Sequence, residues 1–114
     1  ARPLIQNLDD LPFPKHELFM EKGRTMACLL TSRSCPFKCS FCCLYLISER
    51  KFRTRSPENI VDEIEYIIAT FKDIDTIQIA DDAFNLNIER AKNICKEIIA
   101  RGINISITCS CRFC

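Results

Sequence analysis

The stretch TIQIADDAFNLNIERAKNICKEIIARGINISITCSC, residues 76–111, decides the fold. It opens with an apolar run at 76–80 that is typical of a buried strand. Asn87 then caps a predicted helix, and Gly102 ends it. The apolar side chains of this helix recur at helical spacing: Ala91, Ile94, Cys95, Ile98 and Ile99. Residues 103–111 alternate apolar and polar types, as a strand does. The stretch therefore predicts strand, helix and strand.

The same alternation extends toward the amino terminus. The apolar run 26–31, MACLLT, predicts another buried strand. Ser56 and Pro57 predict a helix start, because a capping hydroxyl precedes a proline at the first helical position. The apolar residues of this second helix are Ile60, Ile64, Ile67, Ile68 and Phe71. Strands that alternate with amphipathic helices indicate right-handed crossovers and a parallel sheet. We expect an α/β fold with about three parallel strands and two amphipathic helices.

Residues 1–22 are expected to be a lead-in segment, and residues 23–114 the α/β domain. Pro3, Pro12 and Pro14 exclude a long helix in the lead-in, so we expect an extended linker. Its apolar residues are expected to anchor it along a larger body: Leu8, Leu11, Phe13, Leu18 and Phe19.

Composition limits the classes of function. The chain has 114 residues, enough for one small domain, and its hydrophobic fraction of 47% excludes global disorder. A net charge of +1 predicts no strong attraction to nucleic acid or to an anionic membrane. The apolar runs are too short to cross a bilayer, and no secretory signal is expected.

Nine cysteines are many for this length, but the number is odd and the chain has only two glycines. Small disulfide-rich folds have paired cysteines and many turns, so the sequence favours a reducing, cytoplasmic location. In that case the thiols are metal ligands or members of the core. Cys28 in a predicted strand and Cys95 on a predicted helix are expected to be core thiols.

Three cysteines stand close together in CPFKCSFC, at the carboxyl end of the first predicted strand. Cys35, Cys39 and Cys42 are separated by three and then two residues, and three clustered thiolates suit soft metals. Structural zinc sites and ferredoxin-type clusters normally need four ligands. A triad instead leaves one iron of a four-iron cluster open to a substrate. The alternative is a non-catalytic electron-transfer or metal-binding module, with a fourth ligand from Cys43, Cys109 or Cys111.

This cysteine spacing, with a proline after the first cysteine and Phe41 before the third, is similar to the signature of the radical SAM superfamily. The flanking segments 8–14, 31–42, 55–67 and 81–98 resemble the radical SAM core of the cobalamin-binding group within it. The resemblance covers nearly the whole chain and implies that residues 23–114 are the N-terminal part of a radical SAM core, with the fold of a partial (β/α) barrel. That group usually reads RGCP, whereas this chain has Ser34 at the glycine.

The resemblance implies a mechanism. Cys35, Cys39 and Cys42 would hold three irons of a 4Fe-4S cluster, and the fourth iron would bind the amino and carboxylate groups of S-adenosylmethionine. An electron from the cluster would break the sulfonium bond, and the 5'-deoxyadenosyl radical would take a hydrogen atom from a substrate. Alternatively, S-adenosylmethionine would methylate a cobalamin. We expect little turnover from these 114 residues alone.

The resemblance also implies cofactor contacts. The backbone at Phe41 would meet the adenine, and Asp81 or Asp82 the amino group of S-adenosylmethionine, with the two acids not separable from sequence. Arg112 could meet the cofactor carboxylate. Plainer interpretations are loop packing for Phe41, a capped turn for the acids and a solvated side chain for Arg112.

The implied partners are a small-molecule substrate and an electron donor such as flavodoxin or ferredoxin. His16 is the only histidine, and one histidine without a glycine-rich sheet does not make a cobalamin domain. Cobalamin, if used, would be bound by a domain absent from this chain. The substrate, and a methylase or cyclase reaction, stay open. The basic residues around the cysteines are either a solvated surface or a steering patch: Lys38, Arg50, Lys51, Arg53 and Arg55.

Overall fold

A computed structural model describes residues 3–113, except for the side chains of Tyr45 and Ser48. Cys114, at the end of the predicted domain 23–114, lies outside the described residues. The strands are β1 (Met26–Leu29), β2 (Ser32–Arg33), β3 (Arg53–Thr54), β4 (Thr76–Ile79) and β5 (Ser106–Cys109). The α-helices are α1 (Leu44–Ser48), α2 (Pro57–Thr70) and α3 (Ile88–Ala100). Short 3-10 helices span Leu8–Asp10, His16–Leu18 and Phe84–Leu86.

β1, β4 and β5 form a parallel sheet in that spatial order. α2 precedes β4, and α3 connects β4 to β5. The predicted α/β class, with three parallel strands and two amphipathic helices, is therefore confirmed. Because the strands are parallel, their carboxyl ends meet at one edge of the sheet, where ligands gather in folds of this class.

The two long helices begin where the sequence predicts. The Ser56 hydroxyl accepts a hydrogen bond from the Asn59 amide at 3.2 Å, and the Asn87 side chain accepts one from the Arg90 amide at 3.0 Å. These contacts satisfy amides that the helix itself leaves without an acceptor. Gly102, with φ of +65°, follows α3 in the left-handed conformation that glycine tolerates.

The core lies between one face of the sheet and the two long helices. Its principal members are Ala27, Leu29, Ile77 and Ile79 from the strands and Ile60, Ile64, Ile67, Ile94 and Ile98 from the helices. Strand side chains alternate between faces, so Cys28 lies on the opposite face and donates a hydrogen bond to the Gln78 side chain at 3.0 Å. The prediction that Cys28 and Cys95 are core thiols is wrong, because both are exposed.

Cys95 also shows that the apolar stripe of α3 is narrower than predicted. Ile94 and Ile98 are buried against the sheet, whereas Ile99 is 75% exposed. Residues 95 and 99 are displaced by about 100° around the helix from 94 and 98, so they lie at the margin of the buried stripe.

The lead-in segment contacts α2 from its amino end to Tyr66. Leu8 is buried, and the Asp9 carboxylate accepts a hydrogen bond from the Ser56 amide at 2.9 Å. His16 is buried as well, with its Nε2 atom 2.7 Å from Oε1 of Glu63. Leu18 and Phe19, expected to be anchors, are 77% and 70% exposed. Among the described residues these two therefore do not anchor the lead-in, and their contact with a larger body stays a prediction.

β2 and β3 form a separate antiparallel pair, in which Ser32 lies opposite Thr54 and Arg33 opposite Arg53. The pair closes the base of the loop 34–52, which contains the three clustered cysteines and α1. We name residues 34–52 the cysteine loop. The sequence did not predict this pair, since strands of two residues are too short to show an alternating pattern.

Candidate functional site

The cysteine loop places the three predicted metal ligands at the carboxyl edge of the sheet. Cys35, Cys39 and Cys42 are each partly exposed, and none of the eight described cysteines is in a disulfide. The Cys42 amide donates a hydrogen bond to the Cys39 carbonyl at 3.1 Å, which closes a turn between these two cysteines. Three reduced thiols thus stand on one short, turned segment that opens to solvent.

The thiols do not converge on one point. Within residues 3–113, no three His, Cys, Asp or Glu side chains are arranged to hold a single metal ion. A four-iron cluster binds each cysteine through a different iron, so its ligands surround a larger group instead of meeting at one atom. Three uncrosslinked thiols on one open loop fit that requirement.

Ser34 turns the chain from β2 into the cysteine loop. Its φ is +76°, in the left-handed region, and the residue is 5% exposed. That conformation costs an L-residue roughly 1 kcal/mol or more, and glycine adopts it without this penalty. The backbone therefore explains why a glycine is usual immediately before the first cysteine in the group that this sequence resembles.

Asp81 anchors the start of the cysteine loop from the end of β4. Its carboxylate accepts hydrogen bonds from the amides of Thr31 at 2.7 Å and Ser32 at 3.0 Å, and from the Ser32 hydroxyl at 2.6 Å. The Thr31 hydroxyl also donates to it. Asp81 is 4% exposed, so these donors replace the water that the carboxylate loses on burial.

Arg90 completes this buried network from the first turn of α3. Its Nη2 atom donates to the Thr31 carbonyl at 2.6 Å and lies 3.7 Å from Oδ2 of Asp81. Burial lowers the pKa of Arg90, and the Asp81 carboxylate opposes that shift. We name Thr31, Ser32, Asp81 and Arg90 the loop-base network. Asp82, in contrast, is exposed at the same edge of the sheet. Of the two acids, Asp82 is the one that reaches solvent.

Arg112 reaches the cysteine loop from the end of β5. Its guanidinium carbon lies 3.7 Å from the centroid of the Phe37 ring, and its Nη1 atom donates to Cys39 Sγ at 3.6 Å. The sequence indicated Arg112 as a possible cofactor contact, but it gave no sign of Phe37 or of Asn85, which holds the backbone of Arg112. The plainer interpretation, a solvated side chain, misses both contacts.

Exposed apolar side chains lie next to the clustered cysteines along the chain. Phe41 is 91% exposed, and Leu46 and Ile47 on α1 are 71% and 75% exposed. The plainer interpretation of Phe41 was packing within the loop, and this exposure contradicts it. An exposed apolar rim beside reduced thiols can exclude water from a group bound there.

The candidate fourth ligands have other surroundings. Cys43 is exposed at the amino end of α1. Cys109 and Cys111 contact each other, with 3.7 Å between their sulfurs. Partial burial of the thiol and the contact with Cys111 raise the pKa of Cys109, although the residue is exposed.

The basic residues near the cysteines are not a uniform solvated patch. Arg55 pairs with the buried Glu63 carboxylate and donates to the Leu30 carbonyl at 2.9 Å. Arg53 donates to the Ile5 carbonyl at 2.7 Å, and Lys51 pairs with Glu49 at 2.7 Å. Arg53 and Arg55 therefore hold the lead-in and α2 in place, and the charge of Arg55 is compensated by Glu63.

A cavity of about 340 Å³ lies between the lead-in and the carboxyl end of β1. Leu11, Phe13, Leu30 and Arg55 are among its lining residues, and none of the residues of the cysteine loop lines it. None of the helices described for residues 3–113 combines the length and apolar character needed to span a bilayer.

The model of the radical SAM superfamily matches residues 29–114. An uncharacterized methyltransferase of Pyrococcus horikoshii is 38% identical over an alignment 116 residues long. The alignment covers 97% of this chain and 25% of that protein. The anaerobic magnesium-protoporphyrin IX monomethyl ester cyclase of Cereibacter sphaeroides is 30% identical, over 90% of this chain and 18% of the cyclase. The chain thus spans about a quarter or less of the length of these relatives.

A solved structure is also similar. It is the radical S-adenosylmethionine methyltransferase TsrM from Kitasatospora setae, with cobalamin and a [4Fe-4S] cluster bound. The TM-score is 0.60 at 32% sequence identity, and the match covers 67% of this chain and 13% of TsrM.

Proposed function

The chain belongs to the radical SAM superfamily, and from this membership we propose that it binds a 4Fe-4S cluster for the reductive cleavage of S-adenosylmethionine. Cys35, Cys39 and Cys42 are the proposed ligands. The observation that carries the proposal is the presence of three reduced thiols on one loop, whose base is closed by the β2–β3 pair. When bound, the cluster would supply the electron that breaks the sulfonium bond of S-adenosylmethionine.

The residues of the chain have separate roles in this proposal. Asp82, exposed at the carboxyl edge, would accept hydrogen bonds from the amino group of S-adenosylmethionine, and the backbone at Phe41 would meet its adenine. The loop-base network would hold the cysteine loop at the sheet edge. Asp81 acts there through Thr31 and Ser32, and a direct contact of Asp81 with the cofactor stays a prediction.

We propose methyl transfer as the reaction class of the whole protein, with a small molecule as the substrate. The names of the Pyrococcus protein and of TsrM support this choice. TsrM binds cobalamin, and a cobalamin used by this protein would be held by residues outside this chain. An electron donor such as flavodoxin or ferredoxin, and a cytoplasmic location that preserves the reduced thiols, belong to the same proposal.

The test is anaerobic reconstitution with iron and sulfide, followed by iron analysis and electron paramagnetic resonance of the reduced chain. We expect about four irons per chain, on the order of the content of one cubane cluster. Adding S-adenosylmethionine should change the shape of the signal, because the fourth iron has no cysteine ligand. Reconstituted protein without iron contradicts the proposal.

Serine variants identify the ligands. Cys35→Ser, Cys39→Ser and Cys42→Ser should each lose most of the iron, because a serine hydroxyl does not replace a thiolate on iron. Cys43→Ser is the matched control, one residue from Cys42, and it should keep the wild-type signal. The alternative is an electron-transfer module with a fourth cysteine ligand. It would be established if Cys43→Ser, Cys109→Ser or Cys111→Ser lost the cluster and if the wild-type signal did not respond to S-adenosylmethionine.

A further inference from the structure

Hydrogen bonds to the backbone of Arg112 hold this residue beside Cys39, a proposed cluster ligand. The Arg112 amide donates to Oδ1 of Asn85 at 2.8 Å, and Nδ2 of Asn85 donates to the Arg112 carbonyl at 2.7 Å. A further hydrogen bond joins the Phe84 amide to the Ser110 carbonyl at 2.8 Å. The segment after β5 is thus fixed to the 3-10 helix Phe84–Leu86, although Arg112 itself is exposed.

The side chain of Arg112 is oriented by two contacts with the cysteine loop. Its guanidinium stacks on the Phe37 ring at 3.7 Å, and its Nη1 atom lies 3.6 Å from Cys39 Sγ. Stacking on an aromatic face limits the rotamers of an arginine and removes water from one side of the guanidinium. The Nη1–H group is then directed to Cys39 Sγ.

We propose that Arg112 donates an N–H···S hydrogen bond to the cluster ligand Cys39 and thereby raises the reduction potential of the cluster, with Asn85 as the residue that positions Arg112. This inference rests on the proposed function. Reduction adds one electron, from an external low-potential reductant, to a cluster that is already anionic. No protein bond forms or breaks in that step.

The direction of the effect follows from electrostatics. A fixed positive charge and a hydrogen bond to a ligand sulfur both stabilise the more negative, reduced cluster relative to the oxidised one. A charge-assisted hydrogen bond contributes more than a neutral one, and the exposed edge of the loop moderates it through solvent screening. Removing the guanidinium should therefore make the cluster harder to reduce, before any cofactor is bound.

The competing role for Arg112 is a contact with the carboxylate of S-adenosylmethionine. The two roles predict different effects of Arg112 on cluster reduction with and without S-adenosylmethionine. A residue that donates to Cys39 affects the reduction equilibrium without cofactor, whereas a residue that holds the cofactor carboxylate affects only the response to the cofactor.

The experiment is a redox titration of the anaerobically reconstituted chain without S-adenosylmethionine, monitored by electron paramagnetic resonance and normalised to iron content. Arg112→Gln should lower the equilibrium constant for reduction roughly tenfold, which is about 59 mV for a one-electron couple. Arg112→Lys, which keeps the charge but loses the planar fork, should restore part of the loss. Asn85→Ala should shift the equilibrium in the same direction as Arg112→Gln.

Arg24→Gln is the matched control. Arg24 is exposed and precedes β1, at the amino edge of the sheet, so the same loss of charge should leave the titration unchanged. Unshifted titrations for Arg112→Gln and Asn85→Ala, with a normal wild-type cluster, would overturn this inference alone. A titration changed only after S-adenosylmethionine is added would also overturn it and assign Arg112 to the cofactor. A wild-type chain without iron would overturn the proposed function, and this inference with it.

Discussion

The Asp81 carboxylate accepts a hydrogen bond from the Thr31 amide at 2.7 Å, across 50 residues of sequence. The contact joins the carboxyl ends of the neighbouring strands β4 and β1, immediately before the chain enters β2 and the cysteine loop. Because Ser32 and Arg90 contact the same pair, one buried acid fixes the base of the loop relative to the sheet. The position of the clustered thiols therefore depends on a residue that does not reach them.

Replacing that acid should destabilise the fold. Asp81→Asn removes the charge that faces Arg90 and turns an amide group toward donors, which leaves buried N–H groups without an acceptor. We expect the free energy of unfolding to fall by about 3 kcal/mol, as for other broken buried pairs. Urea denaturation followed by circular dichroism measures it. Asp82→Asn, one residue away but exposed, should change stability by less than about 0.5 kcal/mol. Equal losses in the two variants would contradict the assignment.

Because the backbone of Ser34 is left-handed, a glycine at this position should increase the stability of the fold. Ser34→Gly and Ser34→Ala both remove the hydroxyl, so the difference in their free energies of unfolding reports the cost of the backbone conformation. The glycine variant should be the more stable of the two by about 1 kcal/mol, because only glycine adopts a positive φ without steric cost. Thermal or urea unfolding of the two variants provides the comparison. An alanine variant as stable as the glycine variant would show that the turn has a different conformation.

His16 should be a stability determinant despite its place in a proline-containing lead-in. His16→Ala removes the hydrogen bond to the buried Glu63 carboxylate, while Arg55 still pairs with that acid. A loss of about 2 kcal/mol is expected, within the range for a hydrogen bond to a charged group. Lys15→Ala is the control, since Lys15 is exposed and adjacent. If urea midpoints of the two variants coincide, the lead-in does not dock on α2.

Tyr66 reports on the same docking through its titration. Its hydroxyl donates to the Glu17 carboxylate, and this contact raises the pKa of Tyr66 and lowers the pKa of Glu17. Ionised Tyr66 would place a second negative charge beside Glu17, so the docked segment should loosen as pH rises through the raised pKa. The chain has two tyrosines, so Tyr45→Phe leaves one signal. In that background the tyrosinate absorbance of Tyr66 should appear above its ordinary pH range.

Glu17→Gln should return that titration toward the ordinary range of tyrosine, because the neutral amide does not repel the phenolate. Glu21→Gln, an exposed acid in the same segment, should leave it unchanged. An ordinary Tyr66 titration in the presence of Glu17 would mean that residues 16–20 do not lie against α2.

The sequence determined the features that repeat locally. The helices Pro57–Thr70 and Ile88–Ala100, their caps at Ser56 and Asn87 and the succession of strands and helices along the chain all follow from periodicity and from side chains within a few residues. The spacing of Cys35, Cys39 and Cys42 likewise lies within one segment, and with its flanks it indicates the family. Each of these features depends on neighbours along the chain, which a sequence displays directly.

Only the tertiary structure decided which of two adjacent acids is buried, and which residues meet across the chain. Three hydrogen bonds join residues far apart in the sequence: Asp81 with Thr31, His16 with Glu63, and Arg112 with Cys39. Their separations are 50, 47 and 73 residues. Local patterns carry no information about such pairs, because each depends on how several elements pack. The same limit explains the exposed Cys28 and Cys95: a strand or helix pattern predicts two faces, and the surrounding elements decide which face is covered.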